Sequence, residues 1–292
     1  MLDVLIALLP ATVAAAVLFS ARALLVILTS VLTAVLSEFL FNLAAKKPQT
    51  VGDCSAIVTG LLLALNLPYT IPLWQVAFGS LVAVVVVKCL FGGIGQNFAN
   101  PAITGRIIML LCFTETGAAV VTRYMEAPVD GVTTPTPLAL FAAGREAELP
   151  SLLDLFLGNR GGAMGETCIL ALLLGCLYLL ARRVITWHAP VAFIGTVFLF
   201  ALIVKGDAYI ALQQILSGGL FLGAIFMATD YTTTPLSSLG RLIFGLGCGI
   251  ITCVIRFWGA LPEGVSYAIL LMNILSPWIE RLTTHKAFGG VG

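Results

Sequence analysis

Two stretches of this sequence are apolar but too short or too interrupted to cross a membrane as straight helices. Residues 55–68 read SAIVTGLLLALNLP and end at a proline, and residues 212–228 read LQQILSGGLFLGAIFMA with a glycine pair inside. A helix needs about 20 apolar residues to cross the bilayer. Short segments interrupted by Gly or Pro in both halves of a chain indicate broken helices around a central site.

The composition of the whole chain is that of an integral membrane protein. Hydrophobic residues make up 60% and charged residues 10% of the 292 residues, whereas soluble domains carry roughly 25% charge. So few charged groups could not cover the surface of a soluble protein. The net charge of +1 argues against a nucleic-acid partner, because basic patches are the footprint of such binding.

The seven cysteines form no recognisable metal or disulfide pattern. None shows CxxC spacing, and most lie in apolar runs, where Cys behaves as a small hydrophobe. Neither His188 nor His285 has a second His at ligand spacing. We therefore expect no metal site, and no residue pattern predicts a catalytic group.

Apolar runs predict an all-α integral membrane protein with ten transmembrane helices, two of them short or broken. The candidate spans are residues 2–20, 22–43, 55–67, 73–91, 101–118, 165–182, 188–204, 212–228, 238–257 and 264–281. Five spans precede a long intervening segment and five follow it. An odd number of spans per half inverts the second half in the membrane.

An internal similarity supports two inverted five-helix repeats. Residues 60–93 contain GLLLAL, PLWQVAFGS and KCLFGG, and residues 219–260 contain GLFLGAIFM, PLSSLGRLIFGLG and RFWGA in the same order. Inverted repeats are a common plan for membrane proteins with a site near the midplane. We expect a first repeat at 1–118, a loop at 119–164 and a second repeat at 165–292.

The charged residues predict the orientation. Lys and Arg of the short loops lie mostly on one side, which places both termini in the cytoplasm and the segment 119–164 outside. Lys88 and Arg106 are assigned to inner helix ends, and the stem of Lys88 is expected to snorkel to the interface. Glu38 is expected to be an interfacial carboxylate, and Glu166 to favour the N-terminus of the sixth span.

Two predicted inner loops, GGIGQNFANP (92–101) and TDYTTTPLSS (229–238), flank the short helices. Their glycines permit close backbone approach to a ligand, and their amides and hydroxyls supply donors and acceptors. Both loops could border one pocket for a cofactor or substrate; a tight interfacial turn is the alternative. The candidate residues are Gly95, Gln96, Asn97, Asn100, Asp230 and Thr232.

The predicted outer loop contains DGVTTPTPL at residues 130–138. Pro135 and Pro137 bracket Thr136 and hold it extended, because a residue before proline avoids the helical region. This arrangement presents one hydroxyl on a stiff, exposed segment. The residues alone allow three uses: a glycan or phosphate acceptor, a cofactor attachment point, or a plain loop.

Several stretches in the right order carry a resemblance to a known family. They are MLDVLIALLPA (1–11), SAIVTGLLLALNLP (55–68), FGGIGQNFANPAI (91–103), DGVTTPTPL (130–138), GGAMGETCILALLLGCLYLL (161–180), LSGGLFLGAIFMATDYTTTPL (216–236) and PEGVSYAILLMNILSPWIE (262–280). On these residues the chain resembles the NqrB/RnfD family over essentially its whole length. The resemblance implies a membrane subunit of an ion-translocating ferredoxin:NAD oxidoreductase (Rnf) complex, which carries electrons and couples them to Na⁺ or H⁺ movement.

The resemblance also implies a covalent flavin. In the family, the last threonine of a motif like D-[AG]-x-[ST]-G-A-T-P-L is esterified by the phosphate of FMN. Thr136 is therefore the predicted attachment residue, with Asp130, Gly131 and Thr133 matching the motif and Thr134-Pro135 departing from it. A second, non-covalent flavin (riboflavin) is implied within the membrane part, with the two inner loops as its candidate pocket.

Partners and location follow from the same resemblance. We expect the other Rnf subunits, including an extracytoplasmic FMN subunit, a flavin transferase for maturation, and the lipid bilayer of the bacterial cytoplasmic membrane. Two alternatives stay open. One is an NqrB-like subunit of a Na⁺-pumping NADH:quinone oxidoreductase, for which typical chains are longer at the N-terminus. The other is a small-solute channel or transporter of related fold, since function lives in sites rather than folds.

Overall fold

The computed structural model describes residues 1–113, 136–259 and 263–283, and no β-strand occurs within these ranges. The part before the first gap contains five helices. They are α1 (Leu2–Phe19), α2 (Ala21–Ala44), α3 (Ser55–Leu65), α4 (Leu73–Cys89) and α5 (Pro101–Cys112). The prediction of an all-helical protein is confirmed for the described residues.

The part after the first gap begins with two short helices and continues with six longer or paired ones. They are α6 (Pro137–Ala142), α7 (Leu152–Leu157), α8 (Ile169–Ala181), α9 (His188–Lys205), α10 (Ala208–Leu216), α11 (Leu220–Met227), α12 (Ser238–Trp258) and α13 (Val265–Thr283). The predicted outer loop is therefore partly helical. Thr136 has the extended backbone predicted for it (φ −64°, ψ 154°) and caps the helix that begins at Pro137.

The lengths of these helices make the chain a multi-pass membrane protein. Among the described residues, α1, α2, α9 and α12 are long and apolar enough to cross a membrane, and the bent pair α10–α11 counts as a fifth such span. All ten predicted apolar runs contain helix. At 1.5 Å per residue, α3, α5 and α8 are shorter than a hydrocarbon core of about 30 Å, so the count of ten spans stays a prediction.

The break predicted at the glycine pair is present. α10 and α11 meet at an angle of 65°, and Gly218 between them has a φ of 69°. This left-handed conformation favours glycine, because a Cβ clashes there. In the first half, α3 ends at Leu65, three residues before Pro68.

Helix α3 lies in the centre of the protein. Ten of its eleven residues are buried, as expected for a helix that is apolar on all sides. It packs closely on α2, where a Cβ on Gly60 would come within 2.9 Å of the Ser30 carbonyl oxygen. Small residues allow such close helix contacts in membranes.

The two halves pack in a similar pattern. In the first half α2 contacts α3 and α4, and in the second half α9 contacts α10 and α12, while α1 packs against α8. This agrees with the contacts that two repeats would make. Their inverted relationship, and the division at 118 and 164, stay predictions.

Apolar side chains cover much of the outer surface of the bundle. Ile203 on α9 is 82% exposed and Leu282 on α13 is 86% exposed, and many Leu and Val side chains of α1, α2 and α12 are also open. A soluble monomer rarely exposes so much contiguous apolar surface. Burial of this surface in lipid explains it.

Candidate functional site

The two polar loops predicted to lie together do meet. The Asn97 side-chain amide donates to the Thr232 hydroxyl oxygen (3.3 Å), and the Asn100 amide donates to a carboxylate oxygen of Asp230 (3.3 Å). The Asn100 side-chain oxygen also accepts from the amides of Ala102 and Ile103, which caps α5. Asn100 therefore fixes both the start of α5 and its contact with the second loop.

Asp230 organises its own loop. One of its carboxylate oxygens accepts from the backbone amide and the hydroxyl of Thr232, at 3.2 and 3.0 Å. Burial raises the pKa of the Asp230 carboxyl above its ordinary value, and the hydrogen bonds from Thr232 oppose this shift. The hydrogen bonds to this half-buried carboxylate hold the loop.

A cavity of about 110 Å³ opens between these loops and the helices. A single water needs about 10–15 Å³, so the cavity takes several waters or a small ring system. Its wall combines amides, hydroxyls and a lysine with apolar side chains, which is the usual make-up of a cofactor site. Lining residues include Ser55, Leu62, Lys88, Asn97, Asn100, Phe226, Asp230 and Thr232.

The other two candidates of this pocket do not reach the cavity. Gly95 and Gln96 are exposed, and neither belongs to the cavity wall. Gly95 has a φ of 86°, so it serves the turn of the loop. The structure therefore does not bring Gly95 and Gln96 together with the other four candidates at the cavity.

Lys88 does not snorkel to the interface. Its side chain is 4% exposed, and its ammonium donates to both carboxylate oxygens of Glu38 at 2.9 Å and to the Ser55 hydroxyl. Glu38 is itself 1% exposed and has its partners, as expected for a satisfied carboxylate, and its position relative to the membrane interface stays a prediction. Burial of both groups is tolerated because each charge has its partner and further hydrogen bonds.

Hydroxyls extend this ion pair in both directions. On one side, Thr50 donates to Glu38 (2.5 Å) and accepts from the amide of Asn42 (3.0 Å). On the other side, the Ser55 hydroxyl donates to Asp53 (2.5 Å). Because Lys88 and Ser55 line the cavity, this polar chain begins at the cavity wall.

Arg106 is not a residue of an inner helix end either. It lies inside α5, and one terminal nitrogen is 2.5 Å from a carboxylate oxygen of Glu263 and 3.3 Å from one of Glu166. Its other terminal nitrogen donates to the side chains of Asn66 (2.8 Å) and Ser266 (3.2 Å). Glu166 therefore pairs with a distant arginine, and α8 begins only at Ile169.

Two further arginines complete this group, which we call the arginine cluster: Arg106, Arg160, Arg256, Glu166 and Glu263. Arg160 donates to the Glu166 carbonyl oxygen (2.7 Å). Arg256 donates to the carbonyl oxygens of Gln214 (2.9 Å) and Ser217 (3.1 Å) at the end of α10. Glu263 accepts from the Gly219 amide (2.6 Å), so the cluster surrounds the break between α10 and α11.

Thr136 lies at the start of α6. Its hydroxyl oxygen accepts from the Ala139 amide (3.2 Å), and the side chain is half-buried. Among the described residues, no acceptor receives its hydroxyl proton. The other predicted motif residues, Asp130, Gly131 and Thr133, lie in 114–135, outside the described residues.

The segment after Thr136 is anchored to the bundle. Glu146 forms an ion pair with Lys205 (2.6 Å), and the Pro150 carbonyl oxygen accepts from the Gln213 side chain (3.1 Å). Leu138 packs at the helix break, where a Cβ on Gly218 would meet it at 2.5 Å. Leu138, two residues after Thr136, therefore lies beside Gly218 at the helix break.

The arginine cluster is the feature that sequence reasoning missed. Arg106 interrupts an apolar run, and an ionisable residue within a span requires a partner. That signal was present in the sequence, but the partner Glu263 is 157 residues away. Only the fold identifies it.

Comparison with known proteins identifies the family of this chain. A family model described as "NQR2, RnfD, RnfE family" matches residues 1–289. The chain belongs to this family. The resemblance drawn from the sequence motifs is confirmed.

Individual relatives of the family cover nearly the whole chain. The chain is 45% identical over 291 residues to the D subunit of the Na(+)-translocating ferredoxin:NAD(+) oxidoreductase complex of Acetobacterium woodii, covering 99% of this chain and 90% of the relative. It is 39% identical over 301 residues to the D subunit of the proton-translocating ferredoxin:NAD(+) oxidoreductase complex of Clostridium ljungdahlii, at 99% and 91% coverage. The D subunit of the ion-translocating oxidoreductase complex of Stutzerimonas stutzeri is 38% identical over 322 residues, at 99% and 91% coverage.

Proposed function

We propose that this chain is the D subunit of an ion-translocating ferredoxin:NAD oxidoreductase complex in the bacterial cytoplasmic membrane. The observation that carries the proposal is the 45% identity to such a protein over 99% of the chain. The first two relatives named above move different ions, Na⁺ and protons. We therefore propose that the complex moves a monovalent cation, without assigning it as Na⁺ or H⁺.

Thr136 is the proposed attachment residue for FMN. Its hydroxyl proton has no acceptor among the described residues, and a phosphoester oxygen could still accept from the Ala139 amide as the hydroxyl does now. The Thr136 oxygen would form the new O–P bond while the pyrophosphate bond of FAD breaks and AMP leaves. A separate flavin transferase outside the cytoplasm would direct this step.

The inner cavity is the proposed place of a second, non-covalent flavin. Asn97, Asn100 and Thr232 offer hydrogen bonds at its wall, and Leu62 and Phe226 offer apolar surface. Flavins supply the electron-carrying chemistry that side chains lack, while the protein positions and tunes them. The buried ammonium of Lys88 at the same wall would stabilise negative charge that arrives in the cavity.

Charge movement is the proposed link to ion translocation. Lys88 forms an ion pair with Glu38 and also lines the cavity. Negative charge in the cavity would compete with Glu38 for the ammonium. A carboxylate that loses its ammonium partner attracts another cation. We therefore propose that Glu38 binds the translocated cation when negative charge enters the cavity.

The orientation belongs to the proposal as well. Both termini would lie in the cytoplasm, with Thr136 outside, near the extracytoplasmic FMN subunit. The other membrane subunits of the complex would cover part of the exposed apolar surface, and lipid would cover the rest.

One experiment tests the attachment. The full chain is expressed with a flavin transferase, and flavin fluorescence is recorded in a denaturing gel for wild type, Thr136→Ser and Thr136→Ala. We expect fluorescence in wild type, retained fluorescence in Thr136→Ser, and none in Thr136→Ala. Unchanged fluorescence in Thr136→Ala would place the flavin elsewhere, and its absence from wild type would contradict the covalent cofactor.

A further inference from the structure

The arginine cluster carries more positive than negative charge. Its described members are three arginines and two glutamates, and each arginine lies within electrostatic reach of both glutamates. Arginine stays protonated in proteins. Within the ranges that the structure describes, one positive charge is therefore left without a carboxylate, in a place where an unpaired charge is costly.

Two of the arginines also have donors to spare. The Nε atoms of Arg160 and Arg256 are buried and have no hydrogen-bond acceptor among the described residues. Their terminal nitrogens are used on backbone carbonyl oxygens, which carry no formal charge. Arg160 as a whole is 5% exposed, so water does not replace the missing partner.

Leu138, two residues after Thr136, lies beside one arginine of this cluster. A Cβ on Gly218 would lie 2.5 Å from Leu138 Cδ1 and 3.1 Å from Arg256 Nη2. Leu138 and Arg256 therefore both contact the position that a side chain on Gly218 would occupy. Thr136 is two residues before Leu138, at the start of the same helix.

We propose that Arg256 and Arg160 bind the phosphodiester that joins FMN to Thr136. This rests on the proposed function, because it takes the phosphate to be attached at that residue. A phosphodiester carries one negative charge, which matches the one uncompensated arginine. Guanidinium groups bind phosphate oxygens through paired N–H donors, so the free Nε atoms complete the arrangement.

This binding gives the arginine cluster a role in positioning the cofactor. Arg256 also holds the carbonyl oxygens at the end of α10, so one side chain connects the outer flavin to the break between α10 and α11. The flavin ring would thereby be fixed against the bundle by its phosphate. It would not swing freely on the loop.

Calorimetry with inorganic phosphate tests the proposal without any flavin chemistry. The full chain is purified in detergent micelles from a host that lacks the flavin transferase. We expect wild type to bind phosphate, and Arg256→Gln to bind it about 10- to 100-fold more weakly, which is the usual loss of a charge-assisted hydrogen bond. Arg145→Gln is the matched control, because Arg145 is exposed and its ion pair in the described part of the chain is with Glu148; its affinity should equal that of wild type.

A variant that is expected to bind phosphate more tightly excludes misfolding as the cause of weaker binding. Glu166→Gln removes a negative charge from the cluster and should bind phosphate more tightly, by about tenfold. A misfolded protein would lose binding in both variants. Equal affinity in wild type, Arg256→Gln and Glu166→Gln would overturn the proposal.

The flavinylated protein separates this inference from the proposed function. When a denaturing gel shows FMN on Thr136, the site should be filled, and inorganic phosphate should no longer bind. Phosphate that binds equally before and after flavinylation would assign the arginines to another anion and overturn the proposal. Wild type that binds phosphate but is never flavinylated would contradict the proposed function and leave a site for a free phosphate ester.

Discussion

Asn100 and Arg106 lie on the same helix, six residues and about 9 Å apart along its axis. Asn100 caps α5 and joins the two loops of the inner cavity, whereas Arg106 belongs to the arginine cluster on the other side. Asn66, at the end of α3, accepts from Arg106, and its amide lies 3.7 Å from the sulfur of Met227. The inner and outer polar sites are thus separated by little more than one turn and a half of helix.

Removal of Lys88 should destabilise the protein strongly. Lys88→Met leaves Glu38 buried without its cation, and breaking a buried ion pair costs about 3–5 kcal/mol. Thermal unfolding in detergent micelles measures the loss. The double variant Glu38→Met with Lys88→Met should be more stable than Lys88→Met alone. If the double variant is the less stable of the two, the unpaired carboxylate is not the cause.

Substitution of Gly218 should loosen the packing of α6, which carries Leu138, against the rest of the protein. Gly218→Ala places a Cβ against Leu138 at a φ of 69°, and strain with overpacking of this kind costs about 1–3 kcal/mol. Trypsin cleavage after the exposed Arg145 should become faster in the native protein. Gly195→Ala is the control, because a Cβ there meets nothing within 4 Å and alanine favours the helix by up to about 1 kcal/mol. An unchanged cleavage rate in Gly218→Ala would refute the docking of Leu138 on the break.

The non-covalent flavin proposed for the inner cavity should bind more weakly when Asn97 is replaced. Asn97→Ala removes an amide that donates to the cavity wall, and lost hydrogen bonds of this kind weaken binding by about tenfold. Solvent extraction of the folded protein releases non-covalent flavin and leaves FMN on Thr136, so chromatography of the extract counts only the former. Gln96→Ala, one residue away and exposed, should retain the flavin. Equal release from both variants would place the second flavin elsewhere.

The raised pKa of Asp230 predicts a pH dependence of stability. A carboxyl with a raised folded-state pKa binds protons more strongly in the folded protein, so its contribution to stability is fully present below the ordinary value of 3.8. That contribution is lost as pH rises through the raised pKa. Thermal midpoints measured from about pH 4 to 7 should therefore fall with pH more steeply in wild type than in Asp230→Asn.

The control for this pH series is Asp207→Asn. Asp207 is exposed and caps α10 by accepting from the Tyr209 amide, a role that asparagine also fills. Its pH profile should follow that of wild type. Parallel profiles for wild type and Asp230→Asn would show that the Asp230 carboxyl does not set the dependence.

Helices and breaks were predictable from the sequence because they depend on local properties. Apolar runs of a given length, a proline after Leu67 and a glycine pair at 218–219 each act within a few residues. The meeting of Asn97 with Thr232 was also anticipated, since both loops flank short helices on one side. These features follow from composition and spacing alone.

Charged partners were not predictable because they are distant in the chain. The snorkelling rule assigned Lys88 to the interface, yet a lysine that meets Glu38 across two packed helices needs no water. Glu166 was assigned to a helix terminus by its neighbours in sequence, and its charge is used by Arg106 instead. Electrostatic pairing is decided by packing, and packing requires the fold.

Helices α4 and α11 each contain a widened turn where they pass the cavity. Residues 82–89 of α4 and 223–227 of α11 are π-helical, and each wide turn holds more residues than an α-turn does. Deleting one residue from such a segment would close the wide turn without rotating the helix beyond it, because the wide turn is what accommodates the extra residue. Lys88 and Phe226 lie within these segments and line the cavity, so the directions of their side chains depend on one extra residue in each helix.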